Sequence, residues 1–537
     1  MRSLNLLLLF ITQSFSPLLF AQGGTLDNTF SGNGKQVSNF PTTTAQANSV
    51  TVQRDSSIVV AGQYVSGQNQ WGLLYSFALV RYLKNGPEDP NFGSGGRVYL
   101  SADAPFCNIP SVILQPDNKI LAAGFVTTET TASPFLYLVR LEKDGTIDQT
   151  FNHGTPILAE DFTGVQVLLQ TDGRIIVAAN WYGPDNTITN DTWYAALRFN
   201  SDGTPDLSYG VNGQTKIKIG STPTKGLATC AVLQKGKLLI SGSYNTRHII
   251  TARFNTDGSS DATFGKKGLA DVTVNNTDPC NATCMTVQAD SRILIGGSFT
   301  SASGPTDFLA VRLMPNGPLD SSFAGNGKKA INFNGTDEAR GIAFNKDGTI
   351  VLGGVTTPHA QPKKFALCEL NTDGSPDLLF GPNNDGKSVA GWANVNGDAY
   401  GLALAPDRKI VMAGSYYSNT IPDEFAVMRF LPRFQPPIII LGDAAKSIDG
   451  STPGLTQSSP HIYPNPATDQ LQIAGLPPAT PQQVSVVDAS GRLWITLRLQ
   501  GKDHTTLDIA RLMPGSYTVV LTGADGTHSL HFLKLAH

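Results

Sequence analysis

Three short motifs recur seven times in this 537-residue chain, in the same order and at nearly the same interval. An Asp-x-x-aromatic motif places its ring at Phe30, Phe92, Phe151, Tyr209, Phe264, Phe323 and Phe380, at spacings of 62, 59, 58, 55, 59 and 57 residues. A second motif, QPDNKILAAG at 115–124, returns at 53–62, 170–179, 234–242, 288–297, 345–354 and 405–414. A third, FALVRY at 77–82, is echoed at 136–141, 194–199, 249–254, 308–313, 365–370 and 425–430. A fixed period restricts the chain to a stack or ring of equivalent units, none able to bury its hydrophobic faces alone.

Each period holds about four short apolar runs divided by Asp-Gly, Asn-Gly and Pro turns, the pattern of four antiparallel strands. Asp172-Gly173 and Asp347-Gly348 supply the positive φ that a tight hairpin needs. With 54 Gly and 33 Pro the chain is rich in turn residues, and 40% hydrophobic content is enough for real cores. Radial closure protects the sheet edges. The phase of the repeat supports closure: the N-terminal copy supplies only the Phe30 motif and one strand near Lys35–Phe40, and the last repeat stops after its third strand at Phe430. The expected fold is all-β: a seven-bladed β-propeller whose N-terminal strand closes the last blade, followed by a small Ig-like β-sandwich. An open β-solenoid is the alternative, and a strand missing at each end argues against it.

The first 21 residues read as a Sec signal peptide: Met1-Arg2, an apolar run from Leu6 to Ile11, a second stretch from Pro17 to Phe20, and Ala21 before the break. Polar Thr12, Gln13, Ser14 and Ser16 interrupt the run well short of the roughly 20 apolar residues of a membrane span. The domain boundaries expected are 1–21 for the signal peptide, 22–430 for the propeller, 431–460 for a Pro/Gly/Ser-rich linker and 461–537 for the sandwich. A net charge of −3 argues against nucleic acid as a partner. No membrane span and a monomer are expected.

The three motifs resemble the delta-60 repeat family, tandem units of bacterial exported proteins, over roughly 26–430. That family offers no catalytic residues to carry over. The tail carries Tyr463, Pro464, Asn465 and Pro466, then Gly491-Arg492, LDIARLMPGSYTVVL (507–521) with Gly515 and Tyr517, and FLKL (532–535). In order and spacing these resemble the type A sorting domain of type IX secretion. The resemblance implies a Bacteroidetes-type bacterium, the type IX machinery as a partner, and release or attachment at the cell surface.

Asp27, Asp89, Asp148, Asp206, Asp261, Asp320 and Asp377 each lie three residues before the motif aromatic. Spread round a ring they cannot converge on one ion, so turn capping is expected rather than metal binding. Arg81, Arg140, Arg198, Arg253 and Arg312 each precede a motif Asp by eight residues, and ring closure offers Arg429 the partner Asp27. The sixth repeat departs, with Glu369 facing Asp377. Bidentate Arg–Asp contacts would pin each third strand to its following loop.

Of five cysteines, Cys230 and Cys284 occupy a position held elsewhere by Ser49, Ser111, Gly341 and Gly401, as small packing residues do, while Cys280-x-x-x-Cys284 allows a local disulfide. His153, His248 and His359 are scattered, so no zinc pattern, metal or cofactor is expected. Asp185, Asp191 and Asp398 are read as acids in variable loops, and no nucleophile elbow or phosphate loop appears.

Trp71, Trp181, Trp193 and Trp392, with Tyr182, Tyr416 and Tyr417, fall in the loops that topology gathers on one face. If they stack on sugar rings or peptides, at least two indoles should be exposed on one rim. If they anchor loops, they should be packed. Function is therefore read as a secreted or cell-surface binding or scaffold propeller with a polysaccharide or protein ligand. A carbohydrate-active propeller enzyme and a purely structural surface protein are the alternatives.

Overall fold

The computed structural model describes residues 23–433, apart from 41–43, 71, 129–132, 184–191, 221–225, 275–277, 302–303, and residues 460–534, apart from 466, 475–481, 489–492, 500–503, 510–511, 513–514 and 524–525. The signal peptide, Trp71, Asp185, Asp191, Pro466, Gly491-Arg492 and nearly all of the linker lie outside the described residues. The chain divides into two units, 1–434 and 435–537. Both are all-β, and a 3-10 turn at Asn152–Gly154 is the one helical element among the described residues.

In the first unit the described residues form seven four-stranded antiparallel sheets. The first is built from Ala45–Val52, Ile58–Asn69, Gly72–Tyr82 and Arg97–Ala104 in chain order. Five more span 107–160, 162–220, 227–273, 280–331 and 335–390 with the same order. The seventh takes three strands from 396–430, and its outer strand is Lys35–Ser38, running antiparallel to Phe425–Met428. Ring closure continues upstream, where the Asp27 amide donates to the Arg429 carbonyl at 2.9 Å. Each sheet's innermost strand lies against that of the next sheet, and the seventh lies against the first.

The second motif explains the tight pairing of innermost and second strands. Its last glycine sits where the inner strand's carbonyl approaches: a Cβ on Gly62 would lie 1.9 Å from the Gln46 oxygen, and one on Gly354 2.0 Å from the Glu338 oxygen. Apolar residues alternate so that both faces of each sheet are buried between neighbours. Val59 and Leu79 of the first sheet, for example, share a core with Ile109, Val112 and Ile120 of the second. Every motif aromatic is buried there.

The third motif's arginine is the stitch between sheets. Arg81, Arg140, Arg198, Arg253 and Arg312 donate from Nε to Oδ2 of the aspartate eight residues on, at 2.8, 2.5, 2.7, 2.7 and 2.7 Å. Arg429 reaches Asp27 at 2.7 Å, across 402 residues. Each guanidinium lies over its motif ring, at 4.6 Å for Phe92 and 4.4 Å for Tyr209. Nη1 then donates to a backbone carbonyl in the following repeat: Lys143 for Arg81, Thr256 for Arg198, Thr372 for Arg312, and Lys84 for Arg429. The other oxygen of each aspartate caps the turn, as where Asp261 Oδ1 accepts from the Thr263 amide and hydroxyl.

The second unit pairs a three-stranded sheet (His461–Tyr463, Gln470–Ala474, His504–Asp508) with a four-stranded one ordered Leu493–Leu499, Gln482–Asp488, Gly515–Gly523, Gly526–Lys534. They share a core that includes Leu471, Ile473, Val484, Leu507, Val519 and Phe532. Asn465 ties the motif turn to the last strand, donating to the His531 carbonyl and accepting from the Leu533 amide, both at 3.0 Å. Tyr517 is buried against Phe532, whereas Tyr463 is exposed.

Two expectations are corrected here. Cys280 and Cys284 do not bridge; both are buried free thiols, the first donating to the Arg247 carbonyl. Asp398 is not a loop acid but a buried residue of the seventh sheet's innermost strand, Asn396–Leu404.

Candidate functional site

Every innermost strand loses register with its neighbour at one place. The interruption falls at Asn48, Pro110, Val165, Thr229, Thr283, Arg340 and Tyr400. Each lies five residues before the start of the second motif. A β-bulge re-aims the extra side chain out of the ladder, and Pro110 is tolerated there because a bulge owes no ladder N–H. All seven residues line one cavity of about 510 Å³ on the axis of the sheets.

The wall between bulges is closed by side-chain bonds to the next sheet. Ser49 Oγ accepts from the Val112 amide at 3.0 Å, Ser111 Oγ from the Val167 amide at 3.1 Å, and Gln166 Oε1 from the Ala231 amide at 2.8 Å. Cys230 and Cys284 take the same position; burial pushes the Cys284 thiol up to about 12, so it stays neutral.

Charge enters the cavity at one seam. Arg340 Nη1 donates to Asp398 Oδ1 at 2.8 Å and Nη2 to Glu338 Oε2 at 2.9 Å, while the guanidinium lies 4.4 Å over the Tyr400 ring. Lys363 Nζ reaches the other Asp398 oxygen at 2.6 Å. Burial and then the Asp398 charge push the Asp423 carboxyl above its ordinary value. The arrangement presents a fixed guanidinium with its Glu338 partner, a phenol, and neutral hydroxyls and amides: a surface for hydrogen bonding and stacking. Sequence reasoning missed Arg340 and Tyr400. The available signal was the position itself, which varies in residue type from repeat to repeat inside an otherwise fixed frame.

Trp181, Trp193 and Trp392 are each half-buried rather than exposed. Trp181 ends the second strand of its sheet and Trp193 lies near the start of the third, and they pair across the two, rings at 5.5 Å and perpendicular. Lys216 Nζ sits 3.9 Å over Trp181. Trp392, in the connection between the sixth and seventh sheets, packs on Phe365 at 5.9 Å and Tyr416 at 5.0 Å. Tyr182 and Tyr417 are half-buried, as is Tyr416. These residues form two packed clusters, on the third sheet and at the seam between sixth and seventh, the second near the Lys363–Asp398 pair.

Four stretches, 115–151, 236–264, 288–323 and 346–380, match the family described as a domain of unknown function (DUF5122) beta-propeller. Residues 461–534 match the secretion system C-terminal sorting domain. The chain is thus an exported protein of β-propeller repeats with a type IX sorting tail, delivered to the cell surface or the extracellular space. No helix among the described residues is long and apolar enough to cross a membrane. No curated protein matches the sequence.

Among solved structures, a protein of unknown function from Dyadobacter fermentans DSM 18053 is 10% identical with a TM-score of 0.38, covering 74% of this chain and 98% of that one. Polysaccharide lyase Uly1 is 8% identical with a TM-score of 0.42, covering 72% and 90%. The Nup133 β-propeller domain of Vanderwaltozyma polyspora is 9% identical with a TM-score of 0.34, covering 76% and 97%.

Proposed function

We propose that residues 22–430 form a closed seven-bladed propeller acting as a secreted or surface-held binding module, and that 461–537 form an Ig-like sandwich that the type IX machinery handles. The ligand is a polysaccharide or protein segment that enters the axial cavity from the loop face. One observation carries this reading: the seven bulge residues line one cavity, and in its wall the Arg340 guanidinium and the Tyr400 phenol sit together beside hydroxyls and amides. A concave, polar-pointed pocket of this size is the default binding site of a fold. Binding is favoured over hydrolysis because Glu338 and Asp398, the carboxylates nearest the cavity wall, are both engaged by Arg340.

The test is a glycan array and a polysaccharide panel with the exported protein, read for both retention and product release. Retention without products is expected, weakened about tenfold by Arg340→Gln or Tyr400→Ala. Product release abolished by the same substitutions would instead establish an enzyme. No retention on any glycan or on surface-protein extracts would leave the structural role.

A further inference from the structure

The sixth sheet lacks the stitch that closes the other seams, and its replacement comes from outside the repeat. Glu369 stands where the other sheets have arginine, and it is fully buried. Its Oε1 accepts from Asn345 Nδ2 at 3.0 Å and Thr349 Oγ1 at 2.6 Å, but Oε2 has no hydrogen-bond partner among the described residues. The motif aspartate, Asp377, caps its turn through Oδ1, accepting from the Leu379 amide at 2.9 Å, and its Oδ2 also lacks a hydrogen bond among the described residues. Two buried carboxyls therefore each carry an orphan oxygen where every other sheet has an Arg–Asp bond. Among the described residues, the cation brought to them is Arg433, whose Nε lies 3.2 Å from Asp377 Oδ2 and whose Nη1 lies 3.7 Å from Asp347 Oδ2.

Repeat geometry explains why Arg433 arrives there. In the other sheets Nη1 seeks the carbonyl three residues past the next repeat's arginine, as Arg312 seeks Thr372. For position 369 that carbonyl belongs to Pro432, and the next side chain turns inward in place of the missing guanidinium.

We propose that Glu369, Asp377 and Arg433 form a proton-operated lock that fastens the chain's exit from the ring to the seam between the sixth and seventh sheets. With the proton on Glu369, Oε2 donates to Asp377 Oδ2, both orphan oxygens are satisfied, and Arg433 faces one carboxylate beside the Asp347 of the neighbouring turn. When the proton leaves to solvent, the two buried carboxylates repel and Arg433 is drawn between them. Asn345 and Thr349, the remaining polar neighbours, are neutral and hold Oε1 in either state. Burial, with the Asp377 charge adding to it and the Thr349 bond opposing, pushes the Glu369 carboxyl up to about 7, which sets the switch near neutrality. The exit segment is thus held more tightly above neutral pH than below it.

Trypsin reads the lock directly, because it must extract the Arg433 side chain to cut before Phe434. The full exported chain is digested between pH 6 and 8.5, with cleavage at 433 normalised to a free peptide spanning 431–436 in the same tube. Normalised cleavage is expected to slow about tenfold as pH rises through 7. Glu369→Gln should abolish that slope and hold cleavage at the fast, low-pH level. Glu369→Arg restores the stitch of the other sheets, so Arg433 should be cut rapidly at every pH. Equal pH profiles for wild type and Glu369→Gln, or Glu369→Arg cleaved as slowly as wild type at pH 8.5, would overturn the proposal.

Discussion

Replacing Arg429 with methionine removes the shorter of the two ion pairs that join Asp27 to the seventh sheet and so close the ring. The side chain is buried, and it holds Asp27 Oδ2 at 2.7 Å, Thr29 Oγ1 at 3.1 Å and the Phe30 ring at 4.7 Å. Burial works to raise the Asp27 carboxyl, but the Thr29 hydroxyl and amide and then the Arg429 charge outweigh it and hold it below its ordinary value. Breaking a buried pair by removing one partner costs about 3–5 kcal/mol. The lower figure applies here, because Lys409 Nζ remains 3.2 Å from the same oxygen. The loss falls on residues 24–38, which are attached to the seventh sheet through few backbone bonds and are remote in sequence from it. About 3 kcal/mol corresponds to roughly a hundredfold faster opening. Hydrogen exchange of the 24–40 peptide should accelerate by that factor in Arg429→Met. Arg253→Met supplies the control: Asp261 keeps Lys237 at 2.7 Å, and the fourth sheet's strands are consecutive in the chain. It should destabilise the ring without selectively releasing 24–40. Wild-type exchange of that peptide in Arg429→Met, or its equal release in Arg253→Met, would refute the closure argument.

Gly354→Ala should lower stability by about 3 kcal/mol or prevent folding, since its Cβ would meet the Glu338 carbonyl at 2.0 Å, whereas Gly67→Ala, with nothing near its Cβ, should cost under about 1 kcal/mol; urea midpoints decide. Asp27, Asp148, Asp206, Asp261 and Asp320 all have carboxyls held below the ordinary value. Their stabilisation is complete above the unfolded value near about 4 and is lost as pH falls through the depressed native ones. Glu369 runs the other way: raised from 4.5 to about 7, it subtracts about 3 kcal/mol as pH climbs between those values. Glu369→Gln should therefore raise the urea midpoint at pH 8 and leave it unchanged at pH 4. Deleting 461–537 should leave the first unit's thermal unfolding intact while trapping it in the periplasm, measured by fractionation; normal surface delivery would contradict the tail's role.

What could be read from the chain followed from period. A residue recurring eight before a motif aspartate has a definite neighbour, so the Arg–Asp stitch and the pairing of Arg429 with Asp27 are legible in the sequence. So are the repeated four-stranded sheets and the sorting tail, whose motifs keep order over 74 matched residues. The sequence leaves the indoles open between ligand stacking and loop anchoring, and the structure packs them: Trp181 is the last residue of a strand and Trp392 is held between Phe365 and Tyr416. Strand length past a repeat boundary is set by local pairing, which a motif alignment does not contain.

The cavity and the lock were hidden for a further reason: both arise where the repeat is broken, and a broken repeat shows only what is missing. At 369 the sequence displays a lost arginine, but its substitute lies 64 residues downstream and outside the repeat frame. At 340 and 400 it displays unmatched residues that acquire meaning only because a bulge turns them to the axis. The two departures meet at one seam. On the motif side the sixth and seventh sheets are joined by Arg433 and two carboxyls; on the loop side they are joined by Arg340 and Lys363 converging on Asp398. In six other seams a uniform guanidinium stitch serves, fixed in charge at any physiological pH. The seam that lacks it is the one next to which the chain leaves the ring toward its sorting tail, and it combines a titrating group with a charged cavity wall. A protein built from near-identical sheets has few places to be specific, and this chain concentrates its exceptions in that one.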